Sequence, residues 1–206
     1  MISWRFPLNL LIKKFKMEKD SNVYDPAEDT LLLVKNLDVR MNDRVLEIGV
    51  GSGYISLVAS QKAESVFGID VNPHAVRLAK INAKQNNVTN VEFIVSDLFT
   101  AIKGTFNLII MNPPYLPQSM DDKNGPIDYA WNGGRDGRDL TERFIEEVDN
   151  YLGKNGRIQI IQSTLSGYDK TMKALCKKGF EVEIQDEQSF FFEKIYLIMA
   201  RLREKS

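Results

Sequence analysis

Cysteine is almost absent. Cys176 is the only one in 206 residues, which excludes an internal disulfide and a cysteine-rich zinc site and leaves stability to packing in a reducing compartment, so the expected location is cytoplasmic. Histidine is equally scarce. His74 has no metal ligands clustered near it in sequence, so no metal site is expected, and it reads as a surface residue at a helix start, while Cys176, among apolar helical positions, reads as packing. Long apolar runs are missing too: the longest, Ile195 to Ala200, is far below the roughly 20 residues needed to span a bilayer, which excludes a transmembrane helix. The apolar stretch between Met1 and Ile12 is followed, not preceded, by Lys13, Lys14, Lys16 and Lys19, and no small-residue cleavage site comes after it, which argues against export.

Charge of one sign is scarce as well. The net charge is -1, yet the first 19 residues hold Arg5 and four lysines against Glu18 alone, so the rest of the chain is acidic. Bulk charge therefore excludes a general polyanion binder, and nucleic acid is not an expected partner. Residues 1–22 read as a variable basic segment that packs on the body, and residues 23–206 as one domain, a size at which 43% hydrophobic residues supply one substantial core.

What the chain has in quantity is alternation of short apolar runs with helical periodicity. The pattern predicts strands over Arg44–Gly49, Ser65–Asp70, Val91–Val95, Phe106–Met111 and Gly156–Gln162. Helices are predicted over Tyr54–Lys62, Pro73–Asn86, Asp139–Leu152 and Tyr168–Lys178, with an irregular stretch from Asn112 to Arg138. Two closing strands, near Phe180–Gln185 and Phe190–Arg201, have no helix between them and read as an antiparallel hairpin. Such alternation means a parallel α/β sheet covered on both faces, whose ligands sit at the carboxyl ends of the strands.

Those ends carry the chemistry. The first strand runs into Glu47-Ile-Gly49-Val-Gly51-Ser-Gly53, a loop whose glycines allow a sharp turn and close approach to a ligand, although the dinucleotide pattern G-x-G-x-x-G is not met. Asp70 ends the second strand, where a carboxylate can accept from both hydroxyls of a ribose; Asp97, followed by Leu98, ends the third, where an acid can meet an exocyclic amine while leucine packs on a base. Together they describe a nucleoside-containing cofactor. The fourth strand ends in Asn112-Pro113-Pro114-Tyr115. A planar NH2 is a poor nucleophile because its lone pair is delocalised; the Asn112 side-chain carbonyl and the Pro113 main-chain carbonyl can grip its two hydrogens, the prolines stiffen the turn and Tyr115 can stack on the planar group.

This combination resembles the class I S-adenosylmethionine-dependent methyltransferases that act on amino groups, over roughly Val23 to Arg201. The resemblance implies a Rossmann-like, seven-stranded, mostly parallel sheet with helices on both faces and an antiparallel last strand. The segment Val23-Tyr-Asp-Pro-Ala-Glu-Asp-Thr30 can be read as a capping box, with Asp25 as N-cap, Pro26 at N1 and Glu28 at N3. It also resembles the signature of the HemK-type release-factor glutamine methyltransferases in their eukaryotic and archaeal branch, where the threonine lies beside the cofactor. Ala130-Trp-Asn-Gly-Gly-Arg-Asp-Gly-Arg138 matches a family segment read as a substrate-side loop.

Carried onto this chain, the resemblance makes Thr30, Glu47, Gly49, Gly51, Gly53, Asp70, Asp97, Leu98 and Asn112 cofactor residues, and Asn112, Pro113, Pro114 and Tyr115 catalytic ones. The implied reaction is methylation of the side-chain amide nitrogen of the glutamine in the Gly-Gly-Gln motif of a class I peptide-release factor. The alternative is an exocyclic amine of nucleic acid, adenine N6 or guanine N2. In the usual strand order of this fold Val91–Val95 lies at a sheet edge, and the resemblance implies a small zinc-binding activator that docks by continuing the sheet. Other candidates to cover that edge are a loop, the N-terminal segment or a second copy of the chain.

Overall fold

A computed structural model describes residues 15–114 and 138–202. Its strands are β1 (Arg44–Ile48), β2 (Ser65–Asp70), β3 (Val91–Val95), β4 (Phe106–Met111), β5 (Leu152–Ser163), β6 (Phe180–Ser189) and β7 (Lys194–Leu202). They form one sheet in the order β3-β2-β1-β4-β5-β7-β6. β1, β2, β3, β4 and β5 pair in parallel, and β7 runs antiparallel to both β5 and β6. The helices are α1 (Glu28–Lys35), α2 (Tyr54–Ala59), α3 (Pro73–Gln85), α4 (Asp139–Glu147) and α5 (Tyr168–Lys177).

The two-residue period of the strands divides the core. Val45, Leu108 and Ile110 pack on one face with Leu33 of α1, Leu57 of α2 and Ala79 of α3. Leu46, Ile109 and Met111 face the other way, toward Phe144 of α4 and Leu175 of α5. Burial of both faces explains why β4 reads as a nearly continuous apolar run.

Several boundaries differ from the sequence expectation, each for a local reason. α4 stops at Glu147, a single 3₁₀ turn spans Val148–Tyr151, and β5 starts at Leu152. The Gly153-Lys-Asn-Gly156 stretch looks like a turn by composition, but it lies in the strand, with a register shift opposite Phe106–Leu108 and Asn155 at φ 59°. β6 extends to Ser189, and Phe190–Glu193, expected to begin the last strand, forms the hairpin turn, where Phe190 N donates to Glu193 O at 2.8 Å. The capping box does not form. Ala27 is the N-cap of α1, and the Asp25 carboxylate pairs with Lys19 instead. Cys176 is exposed, because the inward position on α5 belongs to its neighbour Leu175. His74 is partly exposed and sits 3.6 Å from Asp20.

The chain before α1 lies along α3. Asn86 Oδ1 accepts from Lys16 N (2.8 Å) and Asn86 Nδ2 donates to Lys16 O (2.7 Å). One turn earlier, Asn82 Oδ1 accepts from Glu18 N (2.7 Å), while Asn82 Nδ2 donates to Ser52 O (2.9 Å) in the glycine loop. Phe15 packs edge-on against Tyr54, with ring centroids 6.3 Å apart.

Gly53 joins this loop to α2. Its φ is 84°, and a Cβ there would stand 2.9 Å from the Ala79 Cβ, an atom fixed to the α3 backbone. Gly53→Ala combines a left-handed backbone penalty with overpacking and is expected to cost about 2–4 kcal/mol. Urea unfolding reads this directly, and a loss below about 1 kcal/mol would mean that α2 and α3 can separate more easily than their contact indicates.

Candidate active site

Polar groups emerge where the parallel strands end, and the loop after β1 is the first such place. Gly49 N and Val50 N both donate to Ile69 O at 2.9 Å, and Gly53 N donates to Val50 O at 2.8 Å. Asp70, at the end of β2, fixes the loop from the side: its Oδ2 accepts from Gly51 N (3.0 Å) and its Oδ1 from Asn72 N (2.9 Å). Burial pushes the Asp70 pKa up, against the opposing effect of these main-chain donors. Asn72 in turn caps α3, its Oδ1 accepting from His74 N at 2.9 Å.

Glu47 lies inside β1, almost fully buried, and accepts a hydrogen bond from the Ser56 hydroxyl of α2. Burial raises its pKa to about 8, so the carboxyl is mostly neutral at pH 7.

At the end of β3, Asp97 is exposed and pairs with Arg143 of α4 at 2.8 Å. The next residue, Leu98, is buried and has φ 45°, a conformation that side-chain-bearing residues rarely adopt. Ser96 holds it there. Its hydroxyl donates to Leu98 O (2.8 Å) and accepts from Ala101 N (3.1 Å).

The end of β4 faces α1. Asn112 Nδ2 donates to Asp29 Oδ2 at 3.0 Å, which fixes the orientation of the amide, since a carboxylate can only accept. The buried Asn112 Oδ1 accepts no hydrogen bond from any described residue. The other Asp29 oxygen accepts from Thr30 N (2.7 Å) and lies 3.3 Å from the Tyr24 hydroxyl, whose pKa is raised by burial and by the Asp29 charge.

These strand ends line one cleft of about 940 Å³, counted out to its open mouth. Thr30, Glu47, Gly49, Gly51, Asp70, Asp97, Leu98, Asn112 and Pro114 all border it. Gly53 does not; it serves the packing of α2 on α3. Pro113 is buried beside Asn112, and Tyr115 and residues 130–137 lie outside the described residues. Arg138, the last residue of the predicted substrate-side loop, is buried and donates to Ser166 O (2.7 Å), Gly167 O (3.0 Å) and Thr171 Oγ1 (3.1 Å). This anchors Arg138 to the turn after β5. Neither Asp29 as the partner of Asn112, 83 residues away, nor the Ser96 clamp is encoded in a local pattern. The only available signal was the pairing of Asp29 with Thr30 in a segment that the capping box did not explain.

Residues 14–191 match the family described as methyltransferase small domain. The chain belongs to that family. It is similar to a Methanocaldococcus jannaschii protein provisionally described as a protein N5-glutamine methyltransferase, at 48% identity over 92% of this chain and 96% of that one. The human methyltransferase HEMK2 is 30% identical, over 78% of this chain and 81% of its own length. Among solved structures, an Encephalitozoon (E. cuniculi) Mtq2–Trm112 complex, described as responsible for methylation of the eRF1 translation termination factor, superposes with a TM-score of 0.72. The superposition covers 88% of this chain and 99% of that one at 23% identity, which establishes a shared fold. Methyltransferases of this family in general use S-adenosylmethionine.

The neutral Glu47 gives this methyltransferase a pH signature. The folded carboxyl keeps its proton up to about pH 8, whereas the unfolded one releases it near the ordinary glutamate value of 4.5, so between those values the unfolded state binds fewer protons and stability falls as pH rises. Glu47→Gln keeps the shape without the titration. Its unfolding free energy relative to the native chain should rise steadily from pH 5 to pH 8; a difference that stays constant across that range would show that Glu47 is ionised in the folded protein.

Proposed function

We propose that this methyltransferase transfers a methyl group from S-adenosylmethionine to the side-chain amide nitrogen of the glutamine in the Gly-Gly-Gln motif of a class I peptide-release factor. The observation that carries the reading is the buried Asn112 Oδ1, an acceptor with no described partner whose direction is set by Asp29. A buried acceptor left without a donor costs free energy unless a ligand satisfies it, and an amide NH2 is a donor of the right kind. The relative described as a protein N5-glutamine methyltransferase supports the same substrate class.

The cleft suits the cofactor. Asp70 is placed to accept from ribose hydroxyls, the turn at Gly49 and Gly51 leaves room for close approach, and Asp97 with the constrained Leu98 offers an acceptor and an apolar surface for the base. Thr30 borders the same space. Bound there, S-adenosylmethionine supplies an electrophilic methyl group whose leaving thioether is neutral. The protein's task is therefore to orient the amide and exclude other nucleophiles rather than to supply a strong base. Asn112 Oδ1 accepts one N–H of the glutamine amide, the Pro113 carbonyl accepts the other, and Tyr115 stacks on the amide plane; the nitrogen sheds its extra proton to water after attack. Asp29 and Tyr24 act through Asn112 by preventing its amide from rotating.

The substrate is tested by offering labelled S-adenosylmethionine with a release factor, tRNA and adenine-containing DNA in parallel. Label should enter the release factor, and label in either nucleic acid instead would overturn the assignment. Asn112→Ala should lower kcat and kcat/KM together by about a hundredfold, because it frees the amide to misalign, while cofactor affinity stays within a few-fold. Calorimetry with the cofactor separates the two effects.

We also infer that β3 is the docking edge for a small activator subunit, a reading supported by the heterodimeric structural neighbour. β3 is at the sheet edge. Val66 N donates to Asn90 O (2.9 Å) and Ser96 N to Asp70 O (3.0 Å), so with a two-residue period Val91, Phe93 and Val95 turn their main-chain groups toward the open edge. Phe93 is nevertheless buried against the core, so proline there would confound docking with folding. Val95, 51% exposed, is the better position. Val95→Pro should abolish a one-to-one complex with the activator in size-exclusion chromatography and leave the melting temperature within a few degrees; a complex that survives would rule out pairing through this edge.

A further inference from the structure

Three consecutive aromatic residues occupy the β6–β7 turn, and the sheet has no place for them. Phe191 is 92% exposed, Phe192 87% and Phe190 38%, and the rings of Phe191 and Phe192 pack only edge-on against each other, with centroids 4.5 Å apart. Polar or small residues suit such a turn, and contiguous apolar surface at an exposed tip usually marks an interaction site.

Position tells what it meets. β6 runs in the same direction as β4 and β5, so its carboxyl end, and the turn that follows it, lie at the same end of the sheet as Asn112. Three inter-strand steps separate β4 from β6, and the register that levels Met111 with Ile160, Ile198 and Ile184 lets β6 run on past the end of β4 by about 16 Å, so the turn stands roughly 20 Å from that end. The surface between is continuous in kind. The turn after β5 is tied to β7 by Thr164 N donating to Lys194 O (2.9 Å) and Lys194 N donating to Thr164 Oγ1 (3.1 Å), and it carries the half-exposed Leu165. The same turn receives Arg138, the last residue of the segment that resembles a substrate-side loop. The charges beside the aromatics offer no anion site: Lys194 is paired with Glu187 at 2.8 Å, and Glu193 adds a further acid.

We propose that the Phe190–Phe192 turn, extended by Leu165, is the surface on which the protein substrate docks while its glutamine is held at Asn112. This rests on the protein-glutamine reading above and adds to it a recognition site remote from the reacting amide. A folded substrate that presents a glutamine to the cleft has its own surface spread over the surrounding rim, and an aromatic projection at that distance meets it; a free nucleoside or a short peptide does not reach so far. The turn's apolar and acidic surroundings favour protein over nucleic acid.

The test is the double variant Phe191→Ser/Phe192→Ser, assayed with the intact release factor and, separately, with a short synthetic peptide containing Gly-Gly-Gln. Truncating two central aromatic contacts should raise KM for the intact factor by about tenfold or more, with kcat within about twofold. The rate on the peptide and the affinity for S-adenosylmethionine should not change, which separates docking from damage to the cleft. An unchanged KM for the intact factor overturns the proposal, as does an equal loss on factor and peptide. If the native chain dimerises, the variant is monomeric and KM is unchanged, the turn is a self-association surface and the proposal fails. If the native chain labels neither factor nor peptide, the glutamine reading itself falls and takes the docking site with it, an outcome distinct from a variant that alone shows no effect.

Discussion

Asp70 accepts a hydrogen bond from Gly51 across the gap between two parallel strands, and the arrangement of the cleft follows from that contact. A glycine loop has many accessible conformations, so a fixed acceptor at one side is what makes its shape reproducible. The acceptor is well chosen: β2 delivers it at its last residue, where the ladder ends and a side chain can turn toward the neighbouring loop. The other oxygen takes Asn72 N, and Asn72 caps α3, so one carboxylate coordinates the β1 loop with the start of the helix that packs beneath it. Interior polar groups follow the same logic. Ser56 satisfies Glu47 from α2, and Ser96 holds the unusual backbone of Leu98 from two residues away, so one interior carboxyl is satisfied across the fold and one strand exit is stiffened from within.

The parallel sheet was legible because burial of both faces produces short apolar runs that end abruptly in glycine, aspartate or asparagine. Val45–Ile48 and Leu108–Met111 carry that signal, and Asp70, Asp97 and Asn112 were legible with them because they close such runs. The start of β5 was not legible: glycine and asparagine there denote a turn locally, and only pairing with β4 makes the segment a strand. The orientation of α5 was missed at Cys176, since a thiol and a leucine one residue apart are both plausible core residues and helix rotation decides between them. Asp29 was hidden for a different reason. Its partner is on another strand end, and no local pattern encodes a hydrogen bond between residues 83 positions apart.

The two sides of the sheet are used differently. At one edge β3 presents main-chain groups with which no described strand pairs; at the other, the β6–β7 hairpin carries aromatic side chains at the end of the sheet where β4 finishes. Main-chain pairing depends little on side-chain identity, whereas an aromatic tip depends on it heavily. The first suits a constant subunit, the second a substrate that must be chosen and released. Between them, the packing of α1, α2 and α3 on one face of the sheet and of α4 and α5 on the other keeps the two edges in fixed relation to Asn112.

Asn82 gives the stretch before Val23 a significance beyond its lysines. One amide side chain takes Glu18 N on its oxygen and gives a hydrogen to Ser52 O on its nitrogen, so an early backbone segment and the glycine loop share a single buried clasp. Cutting the chain at Val23 would leave the clasp half open, with a buried carbonyl oxygen short of its donor and the loop it steadies free to breathe. A shortened version therefore keeps every cleft residue and still loses part of what shapes the cleft. The segment before Val23, upstream of the first recognisable motif, thus packs as one piece with the glycine loop.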